Sequence, residues 1–120
     1  MKLDYVTVRT RDLARSVEFY EKILGFRPTR RFSPRPGMEI AFLDDGSGGQ
    51  VEFVQGGPDA PFSGSGVSLG FRVADIYATA AMLRAAGVEL SFGPLTTPGG
   101  VRLMGARDPN GLDLGFSQEA

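Results

Sequence analysis

A chain of 120 residues with a formal net charge of −1 has the length of one domain and carries no overall positive charge to attract nucleic acid. It contains neither cysteine nor histidine, which excludes disulfide bonds, histidine-based nucleophilic triads and the commonest metal ligand. No apolar run approaches the ~18 residues of a membrane span, and the N-terminal MKLDYVTV lacks a secretory pattern. We therefore expect a cytoplasmic protein that contacts neither membrane nor nucleic acid.

The first half of the chain predicts one strand, one helix and three further strands. Apolar and polar residues alternate at about 4–10, which is typical of a strand. Asp12 is a suitable N-cap for a helix whose apolar stripe begins at Leu13 and whose end is marked by Gly25. Three short strands are predicted to follow, at about 27–31, 39–43 and 51–55.

The second half repeats this pattern after a Gly-, Pro- and Ser-rich linker at 57–66. A strand at about 67–73 precedes a helix that begins after Asp75 and ends at Gly87. Three strands are predicted to follow, at about 89–92, 102–106 and 112–117. The predicted organisation is therefore a first module at 1–56 and a second module at 67–120.

A single offset of 63 residues relates the two halves. It places Asp12 on Asp75, Val51-Glu52-Phe53 on Leu114-Gly115-Phe116, and Gln55 on Gln118. Because one offset keeps turns and strands in phase over half the chain, it indicates a duplicated βαβββ unit.

Alternation along the strands then assigns two faces to each predicted sheet. The face expected under the helices holds Val6, Val8, Ile40, Phe42, Val51, Phe53, Leu69, Phe71, Val73, Val101, Leu103, Leu114 and Phe116. The opposite, mixed face holds Tyr5, Thr7, Arg9, Glu39, Ala41, Leu43, Glu52, Val54, Ser68, Gly70, Arg72, Arg102, Met104, Asp113 and Gly115. A polar face of this kind is suited to lining a ligand cleft.

Four stretches in this order and spacing resemble the vicinal oxygen chelate superfamily of glyoxalase I, bleomycin-resistance proteins and extradiol dioxygenases. They are DYVTVRTRDLARSVEFYEKILGF, VEFVQ, LGFRVADI and RDPNGLDLGF. The resemblance implies an α+β fold in which two tandem βαβββ modules form a cup-shaped, curved mixed sheet with helices on its outer face. It also implies a small-molecule ligand and a homodimer, which the exposed strand edges of such modules independently favour.

The resemblance places the family's four metal-ligand positions on Tyr5, Glu52, Ser68 and Gly115. Of these, only Glu52 is a credible ligand, and a lone carboxylate makes a poor site for a first-row transition metal. We therefore expect no metal and no cofactor, although weak Mg²⁺ or Ca²⁺ binding through Glu52 and Asp113 stays open.

These observations favour a metal-independent small-molecule binding protein that sequesters an aromatic natural product or drug. The alternative is a glyoxalase-like lyase, isomerase or dioxygenase, either weakly metal-dependent or metal-free with Glu52 as general base and Tyr5 as acid. A third possibility is an interaction module whose cup is filled by its own side chains. The expected ligand-binding residues are Tyr5, Thr7, Glu52, Ser68, Arg72, Arg102, Met104, Asp113 and Phe32.

Two of these expectations have structural alternatives. Glu52 could instead pair with Arg72 or Arg102 on the same face. The segment 26–37 interleaves arginines with Phe26 and Phe32, and we interpret it as a lid with Phe32 directed inward rather than as a nucleic-acid contact.

Overall fold

Two compact units, Met1–Phe62 and Ser63–Ala120, make up the chain. They are described by a computed structural model that covers residues 1–120. Each unit contains one four-stranded mixed sheet and one helical region, in the order βαβββ, so the predicted α+β class is confirmed. Neither helical region has the length and apolar character that crossing a bilayer requires.

The first unit orders its strands β1-β4-β3-β2, with β1 parallel to β4 and the other pairs antiparallel. Its helix is shorter than predicted, because the last part of the predicted segment continues as a π-helical turn. The elements are β1 Val6–Thr10, α1 Leu13–Glu18, the π-helical segment Phe19–Ile23, β2 Arg27–Arg35, β3 Met38–Asp44 and β4 Gln50–Gly56.

The second unit has the same topology, with strand order β5-β8-β7-β6 and β5 parallel to β8. Its helix buries Ile76, Ala80 and Leu83 and is followed by Gly87 at a positive φ of 80°, a conformation that favours glycine at a helix end. The elements are β5 Ser68–Arg72, α2 Ile76–Ala85, β6 Leu90–Thr96, β7 Arg102–Arg107 and β8 Asp113–Gln118.

The offset of 63 residues is reproduced by the strand register. Val6 pairs with Val51 and Leu69 with Leu114, so the parallel pairs of the two units are in the same phase. Glu52 and Gly115 therefore occupy equivalent positions on equivalent strands, as the repeat predicts.

The face assignment of β3 was wrong by one residue. Phe53 lies on the helix side, because its ring contacts that of Tyr20 at 4.9 Å between centroids. Ala41 pairs directly with Phe53 and is fully buried, so the alternate residues Ala41 and Leu43 face the helix. Ile40 and Phe42 consequently lie on the opposite, open face, where Ile40, Phe42 and Val54 form a small apolar cluster.

The same correction applies to β7. Met104 pairs with Phe116 and is fully buried among the residues on the helix side. Arg102 shares that side, and its guanidinium carbon lies 5.9 Å from the centroid of the Tyr77 ring of α2. Both were expected on the open face, which is instead occupied along this strand by Leu103, Gly105 and Arg107.

Segment 26–37, interpreted as a lid loop, is mostly strand β2. It lies at the sheet edge, where prolines are tolerated, and its pairing with β3 shifts register between Pro28 and Arg30 and again between Phe32 and Arg35. Phe32 pairs with Ile40 and so points to the open face, in the direction that was predicted for it.

Candidate functional site

The open face of the first unit is aromatic at its centre. The Tyr5 ring meets the Phe42 ring edge to face at 5.2 Å, and Tyr5 is 43% exposed. The Arg30 guanidinium carbon lies 4.9 Å from the Phe32 centroid and 5.2 Å from that of Phe42, within the range of cation–π attraction. This face therefore presents an aromatic surface that is partly exposed to solvent.

Glu52 lies beside these rings, because it pairs with Phe42 on one side and with Thr7 on the other. The Thr7 hydroxyl donates a hydrogen bond to Glu52 Oε1 at 2.5 Å. Glu52 is half-buried, and no arginine or lysine of the first unit lies within 4.0 Å of its carboxylate. A half-buried carboxylate held by a hydroxyl can accept a hydrogen bond from a ligand amine.

The open face of the second unit has glycine where the first unit has side chains. Gly70, Gly115 and Gly105 lie directly opposite one another on β5, β8 and β7. We call these three residues the glycine row. The adjoining concavity has a volume of about 430 Å³ and is lined by Ser68, Ser91, Phe92, Arg107, Asp113, Leu114 and Gly115.

The open-face arginines pair locally. Arg9 meets Asp59 at 3.2 Å, and Arg72 meets Glu119 at 3.2 Å. Arg107 Nε lies 3.1 Å from Asp113 Oδ1. Arg9 and Arg72 thus pair with acids that lie outside the strands, whereas Arg107 pairs with Asp113 at the start of β8.

The expected ligand-binding residues divide into two groups. Those on the open faces are Tyr5, Thr7, Phe32 and Glu52 in the first unit and Ser68, Arg72 and Asp113 in the second. Arg102 and Met104 lie on the helix side, which corrects their predicted place in the site.

The structure also adds open-face residues that the sequence did not assign to the site. Phe42 and Arg30 are the main additions, and both lie in the first unit. The pairing of Phe42 with Glu52, and of Gly105 with Gly115, follows the same 63-residue offset. The offset could not have placed Phe42 correctly, because the expected faces of β3 and β7 were wrong in the same phase.

The donor set does not fit a resident transition metal. The chain has no histidine or cysteine, and Glu52 is the only carboxylate among Tyr5, Glu52, Ser68 and Gly115. No group of three or more acidic side chains comes together elsewhere. A tight site for Zn²⁺ or a similar ion normally needs three or four protein ligands.

Residues 2–116 match the family model described as Glyoxalase/Bleomycin resistance protein/Dioxygenase superfamily, so the chain belongs to this superfamily. It is 31% identical over 123 residues to the lactoylglutathione lyase of Haemophilus influenzae, covering 97% of this chain and 91% of the relative.

Two crystal structures show how the fold is shared. TnmS3, an antibiotic binding protein from Streptomyces sp. CB03234, is similar with a TM-score of 0.82 and 26% identity, covering 100% of this chain and 97% of that chain. A glyoxalase I mutant from Zea mays has a TM-score of 0.85 and 25% identity, covering 99% of this chain but 46% of that one.

Proposed function

We propose that this protein is a metal-independent small-molecule binding protein that sequesters an aromatic natural product or drug bearing an amine. The observation that carries the proposal is the composition of the open faces. They combine the exposed aromatic rings of Tyr5, Phe32 and Phe92 with the carboxylate of Glu52, which has no ion-pair partner in its own unit.

Three ring systems support an aromatic ligand. Tyr5, Phe32 and Phe92 are 43%, 36% and 48% exposed on the open faces, although aromatic side chains are usually well buried. The likeness to an antibiotic binding protein over the whole chain supports the same ligand class.

The Glu52 carboxylate supports the proposal that the ligand carries an amine. Its Thr7 hydrogen bond uses one carboxylate oxygen, which leaves acceptor capacity for a ligand. A charge-assisted hydrogen bond to a half-buried carboxylate contributes about 1.5–3 kcal/mol, which corresponds to roughly a tenfold or greater change in affinity.

Titration calorimetry with a panel of aromatic antibiotics and metabolites tests this proposal. We expect at least one amine-bearing aromatic compound to bind, to bind equally in excess chelator, and to bind at least about tenfold more weakly to Glu52→Gln. Glu39→Gln is the matched control. Glu39 lies on the helix side of β3, away from the open face that holds Glu52, and its carboxylate forms a salt bridge with Arg31 at 2.8 Å.

Two results would overturn the proposal. One is the absence of binding by every compound up to about 1 mM, a concentration at which even weak sites are detected. The other is binding that disappears in chelator, which would assign the site to a metal.

The second candidate is an enzyme, favoured by the relative named lactoylglutathione lyase. In such an enzyme, Glu52 would act as the general base and Tyr5 as the general acid. Incubation with lactoylglutathione, with and without added divalent metal, tests it. Turnover by the parent protein that is abolished in Glu52→Gln would favour this candidate over sequestration.

A further inference from the structure

We infer that the exposed side of helix α2 is a contact surface for a second copy of this chain, whose own α2 packs on it in the opposite direction. We call the exposed apolar residues that would form this contact the α2 face; they are Tyr77, Ala78, Ala81, Met82 and Ala85. The α2 face lies on the helix side of the second unit, whereas the exposed edge strand β2 belongs to the first. The contact is therefore independent both of the proposed ligand and of the pairing of strand edges.

The outer side of α2 is mostly apolar, whereas that of α1 is charged. Tyr77 and Met82 are 57% and 42% exposed, and the three alanines of the α2 face are exposed as well. The exposed residues of α1 include Arg15 and Glu18 instead. A helix that is apolar all round is normally buried all round, and neighbouring apolar residues exposed on one surface mark protein interfaces. One side of α2 packs on its own sheet, so the other side lacks a cover.

The spacing of the α2 face suits close packing of a second helix. Residues three and four positions apart are neighbours on a helix surface, so the α2 face is one continuous patch along the ten residues of α2. At about 100° per residue, the three alanines lie in the middle of the patch, with Tyr77 and Met82 at its two borders. Small residues in the middle let the two helix axes approach, and the larger side chains enclose the contact.

Four charged side chains around α2 have no ion-pair partner within the second unit, although the other arginines of this unit are paired. Asp75 caps the start of α2, and the Arg102 guanidinium lies beside the Tyr77 ring at the same end. Arg84 lies in the last turn, and Glu89 follows the end of the helix. Each end of α2 thus offers one acid and one base.

A second copy that runs in the opposite direction complements this arrangement. It brings the end with Arg84 and Glu89 to the end with Asp75 and Arg102, so acids and bases meet across the contact, twice by symmetry. The positive N-terminal end of one helix also meets the negative C-terminal end of the other. Arg102 in particular lacks a partner, because its buried Nε has no hydrogen-bond acceptor in the chain. The surface is complementary to itself, which favours a second copy over an unrelated protein.

Sedimentation velocity between about 1 μM and 1 mM tests the contact. The α2 face is smaller than the about 20–30 residues per side of a permanent interface, so the parent protein should associate in a concentration-dependent way. Met82→Glu should weaken this association at least about tenfold, because it would bury a carboxylate against the partner's alanines. Ala14→Glu is the matched control and should associate as the parent does, since Ala14 is also exposed on a helix but lies on α1. Circular dichroism establishes that both variants fold.

Disulfide capture provides a second test, because the chain has no cysteine of its own. A disulfide forms only where two Cα atoms come within about 7 Å. Under mild oxidation we expect Ala81→Cys, in the middle of the α2 face, to link to itself. We also expect Ala78→Cys to link to Ala85→Cys faster than either links to itself, because opposed helices bring these two positions together. Ala14→Cys is the control and should link more slowly.

Three results would overturn this assignment. Equal sedimentation of Met82→Glu and the parent at every concentration would show that the α2 face is not used. Linking of Ala81→Cys no faster than that of Ala14→Cys would exclude a second copy at this surface. Faster linking of Ala85→Cys to itself than to Ala78→Cys would exclude the opposed direction of the helices.

Discussion

Gln55 holds the start of α1 through one hydrogen bond: its side-chain oxygen accepts from the backbone N–H of Leu13 at 2.6 Å. The second unit repeats the contact, with Ile76 N–H donating to Gln118 Oε1 at 2.8 Å. The first amides of a helix have no intrahelical acceptor, so each glutamine satisfies one of them from the last strand of its module.

We predict that Gln55→Met and Gln118→Met each lower the free energy of unfolding by about 1–2 kcal/mol. Methionine keeps the side-chain length but leaves the helical amide without its acceptor. Urea unfolding monitored by circular dichroism measures the change. Gln50→Met is the control, because Gln50 makes only long contacts of 3.5 Å with Asp4, and it should change stability by less than about 0.5 kcal/mol. Equal effects at all three positions would contradict this assignment.

The two helix caps should differ in strength. Asp75 Oδ1 accepts from two amides, Tyr77 at 3.0 Å and Ala78 at 3.1 Å, whereas Asp12 Oδ1 accepts from Arg15 N–H at 3.0 Å. We expect Asp12→Ala and Asp75→Ala each to lower the free energy of unfolding by about 1 kcal/mol, with the larger decrease for Asp75→Ala. Thermal and urea unfolding provide the comparison. Asparagine at either position should retain most of the stability, and a failure of asparagine to do so would point to charge rather than capping.

A third prediction follows from the finding that Met104 of β7 lies on the helix side of its sheet. Met104 is fully buried on the helix side, so Met104→Ala should destabilise the protein by about 2–5 kcal/mol. Leu95 is 44% exposed and pairs with Leu103 on the open face. Leu95→Ala should therefore lower the free energy of unfolding by less than about 1 kcal/mol. If the two substitutions had equal effects on the urea midpoint, the assignment of faces would be wrong.

Purified protein should carry no stoichiometric transition metal. The physical reason is the donor set, in which Glu52 is the only carboxylate among the four superfamily positions. Elemental analysis by mass spectrometry after dialysis measures the content. About one Zn, Ni or Fe per chain, retained after dialysis and lost in Glu52→Gln, would contradict the prediction.

We also predict a homodimer. β2 is exposed along its whole length at the edge of its sheet, and exposed edges are usually covered or paired. A symmetric dimer would bury the same surface twice, over more than about 1,000 Å² in total. Sedimentation equilibrium decides the stoichiometry. A monomer that persists at tens of micromolar would contradict this prediction, because a permanent dimer of that interface size stays associated there.

Sequence reasoning placed the strands of each module well, and it placed the faces of β4 and β8 correctly. Along these strands apolar residues alternate with Glu52, Asp113 and Gly115, so the phase is visible in the residues themselves. The elements and their order could therefore be predicted from pattern alone.

The faces of β3 and β7 could not be read in this way. Ile40-Ala41-Phe42-Leu43 is apolar and buried at every position, so the run shows no alternation that would assign its faces. Only its pairing with Phe53 sets the phase. The ion-pair partners Asp59 and Glu119 also escaped prediction, because long arginine side chains reach residues outside the strands.

The contrast between the row Thr7–Glu52–Phe42 and the glycine row has an evolutionary consequence. Both rows lie on the open faces, whereas the caps and the glutamine contacts that stabilise each module lie on the helix side. Substitutions at the less buried row positions Thr7, Gly70 and Gly115 therefore change the chemistry of that face with little loss of packing. Each half of the duplicated chain can acquire a new specificity while the other half keeps an old one.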